Sequence, residues 1–187
     1  MNIILIRHGE TEANISSNGE SKLTSKGKKQ ISELAKRLKK FKLDIIYSSN
    51  LERAILTAKE IQNMNKNLEI IETEELQEIY RLILGAEPKK GTRPNRFNED
   101  LERAENFWNK MIKWKYKNVA VVCHGSIIRF FISKAIEASP KHFHNIDIYP
   151  ASISIIKIDK NKSKVVLIND ISHLPKELIT SNAIYAE

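Results

Sequence analysis

The sequence has little cysteine, proline and glycine, and it has no long hydrophobic run. Its 187 residues include one cysteine, five prolines and six glycines. The single cysteine, Cys123, excludes a disulfide within the chain and a metal site built from several thiolates. No apolar run approaches the roughly 20 residues that a membrane-spanning helix needs. The first residues show neither a basic segment nor a cleavage site, so we expect no signal peptide and a cytoplasmic protein.

Acidic residues are fewer than basic ones, which gives the chain a formal net charge of +8. A basic composition is compatible with three kinds of partner: nucleic acid, an anionic surface or a small anionic substrate. The lysines are scattered over predicted helix faces and turns, which is typical of an ordinary solvated surface. Nucleic acid is therefore the less favoured partner, and a small anionic substrate is the favoured one.

Short apolar strands alternate with helical patterns along the chain. Residues 2–7 and 118–125 are continuous apolar runs, which is typical of strands buried on both faces. Two further runs, 152–158 and 164–170, predict a closing β-hairpin. We therefore expect a three-layer α/β/α sandwich with a mostly parallel sheet and an antiparallel C-terminal hairpin. No repeat or linker divides the chain, so we treat 1–187 as one domain.

The sequence predicts where two helices begin, one after Thr24 and one after Ser49. Thr24 precedes a run with apolar residues on one helical face and is expected to cap that helix. Ser49 and Glu52 have the spacing of a capping box and are expected to begin the next helix. A third helix is expected over residues 99–115.

Two of the predicted strands end in the same dipeptide, His-Gly. The stretches "IILIRHG" and "VAVVCHG" place His8 and His124 at strand ends. Ligands of open α/β sheets bind outside the carboxyl ends of the strands, so both imidazoles should project from one edge. The glycines that follow allow close backbone approach, which makes Gly125 a candidate substrate-binding residue.

Charged side chains are expected at the same edge of the sheet. Arg53 lies in the first turn of a helix, where a cation opposes the helix dipole, and Arg7 precedes His8. Glu78 comes just beyond another strand end. Arginine matches phosphate oxygens, a neutral imidazole can accept a phosphoryl group, and a carboxyl group can protonate a leaving oxygen. The set fits phosphoryl transfer through a phosphohistidine without a metal or cofactor.

These motifs resemble those of a known family. "LIRHGETEAN", "YSSNLERAILTA", "VVCHGSIIR" and "LINDISHL" occur in this order between about residues 1 and 174. Together they resemble the signature of the histidine phosphatase superfamily, the phosphoglycerate mutase-like enzymes. The closing segment is similar to that of the phosphatase branch.

The resemblance implies a role for each matching position. It makes His8 the nucleophile and Glu78 the proton donor. The acidic run that leads to Glu78 also offers Glu72, Glu74 and Glu75 as alternatives for that donor. The residues that it implies at the phosphoryl oxygens are Arg7, Asn14, Thr24, Arg53 and His124.

An irregular segment, 79–98, follows Glu78 directly. It contains the cations Arg81, Arg93 and Arg96, and we expect it to close over the site as a lid. Such a lid would favour substrates with a second anionic group. The alternative is a solvated loop whose cations serve only solubility.

The favoured function is a metal-independent phosphatase acting on a small phosphorylated metabolite. Alternatives are a phosphoglycerate mutase, a phosphatase of phosphohistidine in proteins, and a non-catalytic protein that binds anions or nucleic acid. The sequence leaves open whether the chain acts as a monomer or a homodimer.

Overall fold

The computed structural model of the chain describes residues 1–15, 22–79, 96–139, 145–160 and 162–180, and its centre is one six-stranded sheet. The strands are β1 (Asn2–Arg7), β2 (Ile45–Ser49), β3 (Ile70–Thr73), β4 (Asn118–Cys123), β5 (Ile153–Asp159) and β6 (Lys162–Asp170). The helices are α1 (Glu12–Ile15), α2 (Ser25–Leu38), α3 (Glu52–Met64), α4 (Arg96–Met111) and α5 (Gly125–Ala135).

The strand order is β3-β2-β4-β1-β5-β6. The first four strands run parallel, whereas β5 is antiparallel to β1 and forms a hairpin with β6. The prediction of a mostly parallel sheet with an antiparallel C-terminal hairpin is confirmed. As a result, the carboxyl ends of β1 to β4 all meet at one edge of the sheet.

The apolar side chains of β1 divide between two cores. Ile3 and Leu5 pack with residues of α4 and α5 on one face of the sheet. Ile4 and Ile6 pack with residues of α2 and α3 on the other face. Side chains of a strand alternate between the faces, so an uninterrupted apolar run is needed where both faces are covered. The predicted three-layer arrangement is confirmed.

Helix α5 follows β4 directly and is buried nearly all round. Phe131 and Ile132 are fully buried, and even Arg129 is 5% exposed. The N-terminus of this helix lies at the edge of the sheet where the parallel strands end. Among the described helices, none is both long enough and apolar enough to cross a membrane.

Three predicted helix boundaries are wrong, namely the start of α3 and both ends of α4, which was expected over residues 99–115. Helix α3 begins at Glu52 with Leu51 as its N-cap, and no side chain caps it. The Ser49 hydroxyl, expected in a capping box, belongs to the end of β2 and accepts a hydrogen bond from Leu51 N at 3.3 Å. Helix α4 begins at Arg96 and ends at Met111, so the expected lid segment is too long by its last three residues.

The rest of the expected lid lies outside the described residues. Residues 80–95 include Arg81 and Arg93, whose predicted roles therefore stay predictions. Arg96 is the first residue of α4.

The backbone at the start of α2 is in direct contact with the backbone of the loop that follows β1. Thr24 N donates to Glu10 O at 3.0 Å. A Cβ at Gly27 would lie 2.1 Å from Glu10 O, and a Cβ at Gly9 would lie 2.7 Å from Gly27 O. Only glycine fits at either position, so the close approach depends on both residues.

Gly27→Ala is therefore expected to destabilise the protein, although alanine is the better helix former. In an open helix this change would stabilise by about 1 kcal/mol, whereas the contact with Glu10 O should reverse the sign and cost about 1–3 kcal/mol. Urea unfolding of Gly27→Ala and of the control Lys29→Ala, on the exposed side of α2, measures the difference. A stabilised Gly27→Ala would contradict the close approach.

Candidate active site

His8 lies immediately after β1, and its backbone is fixed on both sides. His8 N donates to Cys123 O of β4 at 3.1 Å, and His8 O accepts from Ala151 N, just before β5, at 3.0 Å. The side chain is only 4% exposed. The imidazole therefore has a defined place at the sheet edge, with little room for solvent.

Hydrogen bonds define which nitrogen of His8 carries the proton. Nδ1 lies 2.7 Å from the carbonyl oxygen of Gly9, which can only accept, so Nδ1 donates. In the neutral ring Nε2 then has the lone pair, and Arg53 Nε donates to it at 3.2 Å. Burial, followed by the charges of Arg7 and Arg53, holds the pKa of His8 well below its usual value. His8 is thus a neutral imidazole with a nucleophilic Nε2.

His124 lies beside His8, with 5.1 Å between the ring centroids. It is fully buried, and its Nε2 is 2.9 Å from the Ser49 hydroxyl at the end of β2. Burial, then His8 and the surrounding arginines, keeps the pKa of His124 well below its usual value. Among the described residues its Nδ1 has no hydrogen-bond partner, and a bound anion's oxygen or a water would satisfy such an atom.

Arg7 reaches from β1 to the start of α5. Its Nη1 donates to Ile148 O. A Cβ on Gly125 would lie 3.7 Å from Arg7 Cζ, so the guanidinium packs against the first residue of this helix. A helix N-terminus and a guanidinium both attract anions, and here the two coincide.

Arg53 is held in the first turn of α3 by contacts with the loop after β1. Thr57 Oγ1 donates to Arg53 O at 2.8 Å and accepts from Gly9 N at 3.4 Å. Burial lowers the pKa of Arg53 from its usual value, and the charge of Glu78 opposes that shift. The helix start, the His8 loop and the guanidinium are thereby joined.

Glu78 lies at the same edge, whereas its acidic neighbours point elsewhere. Glu78 Oε1 accepts from Ser126 N of α5 at 2.9 Å and from Ile79 N at 3.1 Å. Glu75 instead forms an ion pair with Lys110 at 2.7 Å, and Glu74 is exposed. The geometry favours Glu78 over Glu74 and Glu75 as the acid near the two histidines.

Arg103 of α4 is a positioning residue that the sequence analysis missed. Its Nη1 donates to the carbonyl oxygens of Glu74, Glu75 and Gln77, at 3.1, 2.8 and 3.0 Å. These contacts fix the backbone that carries Glu78. One arginine among many cations on a helix gives no sequence signal, because its partners are carbonyl oxygens brought close only by folding.

The Thr24 hydroxyl has two hydrogen-bond partners within the protein. It accepts from Gly27 N at 2.9 Å, as the N-cap of α2, and donates to Glu10 Oε1 at 2.7 Å. The helix-capping prediction is confirmed. The hydroxyl proton is directed to Glu10, and the expected contact of Thr24 with a phosphoryl group stays a prediction.

Asn14 lies in α1, and its side-chain oxygen faces back toward Thr11. Oδ1 accepts from Thr11 N at 2.9 Å and from Thr11 Oγ1 at 3.0 Å. This orientation makes Nδ2 the atom with which Asn14 could donate to a phosphoryl oxygen.

Glu10 is buried two residues after His8 and is bound by the C-terminal segment. Thr180 Oγ1 donates to Glu10 Oε2, and Gln30 Nε2 donates to Leu178 O at 2.7 Å. Gln30 Oε1 also accepts from Glu10 N at 2.8 Å. Residues 178–180 thereby brace the His8 loop, which neither the spacing nor the composition of the sequence indicates.

Together the site offers one nucleophilic nitrogen, two guanidiniums, a helix N-terminus and one carboxyl group. This set can bind a dianionic phosphoryl group and exchange a proton with a leaving oxygen. Within the described ranges, no three His, Cys, Asp or Glu side chains form a group that could hold a metal ion. Independence from metals stays a prediction.

Comparison with known proteins identifies the family and agrees with the fold. The family model of the histidine phosphatase superfamily (branch 1) matches residues 3–84 and 84–171. The chain therefore belongs to the histidine phosphatase superfamily.

Relatives within this family bear the names of phosphatases and mutases. An uncharacterized phosphatase, PhoE, of Bacillus subtilis is 27% identical, with 92% of this chain and 96% of that protein covered. A 2,3-bisphosphoglycerate-dependent phosphoglycerate mutase of Thermoplasma acidophilum is 28% identical, with 83% and 86% covered. The solved structure of Bacillus stearothermophilus YhfR superposes with a TM-score of 0.79 at 25% identity, with 92% and 98% covered.

The lowered pKa values of His8 and His124 predict that stability falls in mild acid. The unfolded chain protonates its histidines near pH 6.5, whereas the folded protein keeps these two neutral. The unfolded state therefore binds more protons. Each of the two histidines should lower the free energy of unfolding by about 1.4 kcal/mol when the pH falls from about 7.5 to about 5.5. Urea unfolding at both pH values measures the loss.

His8→Gln and His124→Gln should each lose less stability than the wild type over this interval, by about that amount. Lys29→Gln, an exposed control on α2, should match the wild type. Identical pH dependence in all four proteins would show that the two histidines are not held neutral.

Proposed function

We propose that the protein, taken as one domain of 187 residues, hydrolyses phosphomonoesters of small metabolites through a phosphoryl group bound covalently to His8. The observation that carries the proposal is the state of His8. Its Nδ1 proton is bound to Gly9 O, its Nε2 faces Arg53, and its pKa is lowered by burial and two guanidiniums. A neutral imidazole so oriented is a nucleophile ready for an electrophilic phosphorus.

In the first step, Nε2 of His8 forms a bond to phosphorus while the ester P–O bond breaks. The positive charges of Arg7 and Arg53 stabilise the equatorial oxygens as the bond is exchanged. Glu78 gives its proton to the leaving oxygen, so the product departs as a neutral alcohol. Among the described residues, both hydrogen bonds to its carboxyl group are accepted by Oε1, so Oε2 is the oxygen that we propose carries that proton.

In the second step, water attacks the phosphorus of phosphorylated His8. Glu78, now without its proton, accepts one from the water, and the P–N bond breaks. Inorganic phosphate leaves, and His8 returns to its neutral form with Nε2 unprotonated. The hydrogen bond from Nδ1 to Gly9 O persists through both steps and keeps the imidazole ring in one orientation.

A phosphoglycerate mutase is the second candidate function, because one relative has that name. Chemically it differs only in the second step, in which a substrate hydroxyl rather than water takes the phosphoryl group. Incubation with 3-phosphoglycerate separates the two functions, since a phosphatase releases inorganic phosphate and a mutase yields the 2-phospho isomer.

Turnover of simple phosphate esters tests the proposal and the part played by Glu78. The wild type should release phosphate from p-nitrophenyl phosphate and from butyl phosphate with a chelator present. Glu78→Gln should slow butyl phosphate by roughly 100-fold or more, because an alkoxide leaves poorly without a proton. The loss with p-nitrophenyl phosphate should be much smaller, because p-nitrophenolate needs no acid.

Glu75→Gln is the matched control, since Glu75 lies three residues away and pairs with Lys110 at 2.7 Å. It should behave as the wild type with both esters. Absence of turnover by the wild type would refute the phosphatase proposal. Equal losses with both esters in Glu78→Gln would remove Glu78 from the acid role.

A further inference from the structure

A small cavity of about 170 Å³ opens beside the proposed active site. Its lining residues are Lys22, Leu23, Lys28, Glu52, Arg53 and Leu56. Whole ligand sites usually occupy about 300–1,000 Å³. The cavity therefore has the size of a subsite for part of a ligand.

One wall of the cavity is attached to the loop that carries His8. Lys22 O accepts from Glu12 N at 3.2 Å, and Leu23 forms an antiparallel bridge with Thr11. Lys28, in the first turn of α2, is placed by its backbone bond to Thr24 O at 3.0 Å. The two lysines are thus fixed to residues that follow His8 closely in the chain.

The opposite wall is the start of α3, and it includes Arg53. The same side chain donates from Nε to His8 Nε2 at 3.2 Å. A phosphoryl group on His8 would therefore contact a residue that also lines the cavity. The remainder of the substrate can extend past Arg53 into this space.

The charge and polarity of the lining residues indicate which chemical groups the part of the substrate in the cavity should carry. Of the described residues that line the cavity, Lys22, Lys28 and Arg53 are cations and Glu52 is an acid, so this lining favours an anion. Leu23 and Leu56 add apolar surface, and Leu56 is 39% exposed although it is a large hydrophobic residue. An apolar wall beside two lysines suits a short hydrocarbon chain that ends in a negative charge.

We propose that this cavity binds the distal end of the substrate and selects phosphomonoesters with a second anionic group on a short aliphatic linker. The inference rests on the proposed function and names its substrate class. Lys22 and Lys28 bind the second anion, and Leu23 and Leu56 contact the linker. The selectivity that the sequence suggested for the segment 79–98 stays a separate prediction.

Matched esters of one linker length test the inference. Butyl phosphate is neutral at its far end, 4-(phosphonooxy)butanoate carries a carboxylate there, and butane-1,4-diyl bisphosphate carries a second phosphate. The measured quantity is the ratio of kcat/KM for each charged ester to kcat/KM for butyl phosphate. The bisphosphate has two equivalent ends, so its ratio is divided by a statistical factor of two. Both ratios should then exceed one in the wild type, and the larger identifies the preferred anion.

Lys22→Gln and Lys28→Gln should each lower the ratio about three- to fivefold, as expected for partly exposed charges, through KM rather than kcat. Lys29→Gln, an exposed neighbour that does not line the cavity, should leave the ratio unchanged. Unchanged ratios in both cavity variants, with butyl phosphate still turned over by the wild type, would overturn the inference alone. Failure of the wild type to hydrolyse any of the three esters would overturn the proposed function, and the inference with it.

Discussion

The hydrogen bond from His8 Nδ1 to the carbonyl oxygen of Gly9 is the contact on which the proposed chemistry depends. At 2.7 Å it fixes the tautomer and turns the lone pair of Nε2 toward Arg53. The surroundings keep the ring uncharged, because it is buried between two guanidiniums. Without this bond the same burial would leave the position of the proton open, and the nucleophile would have no defined orientation.

The fold serves to hold that one contact in place. Strand β4 and the segment before β5 bind the His8 backbone on both sides, while α2 approaches so closely that Gly9 and Gly27 admit no side chain. The Glu10 carboxylate, which accepts a hydrogen bond from Thr180 Oγ1, holds the loop from its other side. The His8 loop is therefore fixed by long-range contacts, although its sequence is one short motif.

The sheet arrangement and several of the site residues could be predicted from the sequence because they follow from local patterns. The continuous apolar runs of β1 and β4 require burial on both faces, and a parallel sheet then brings His8 and His124 to one edge. Arg53 was detectable because a cation in the first turn of a helix is locally unfavourable. These signals need only the residues of one element.

The remaining contacts could not be predicted, because their partners meet only in the folded chain. Ser49 looked like a helix cap, yet its hydroxyl faces His124, which lies 75 residues away in sequence. Arg103 binds backbone carbonyl oxygens, and because every residue has one, the sequence does not indicate which of them an arginine will bind. Thr24 matched a phosphate-binding position of the family, but its proton goes to Glu10. In each case one side chain has two plausible partners, and tertiary packing selects between them.

The central claim is that the phosphoryl group passes through Nε2 of His8, and trapping that group tests it most directly. The protein is mixed with p-nitrophenyl phosphate, quenched in base within one turnover, and analysed by mass spectrometry of its peptides. The account predicts one added phosphoryl group on the peptide that contains His8, lost on acid treatment as a phosphoramidate is. It should be absent from His8→Gln and present in the control His173→Gln. A phosphoryl group on any other residue, or full turnover by His8→Gln, would contradict the account.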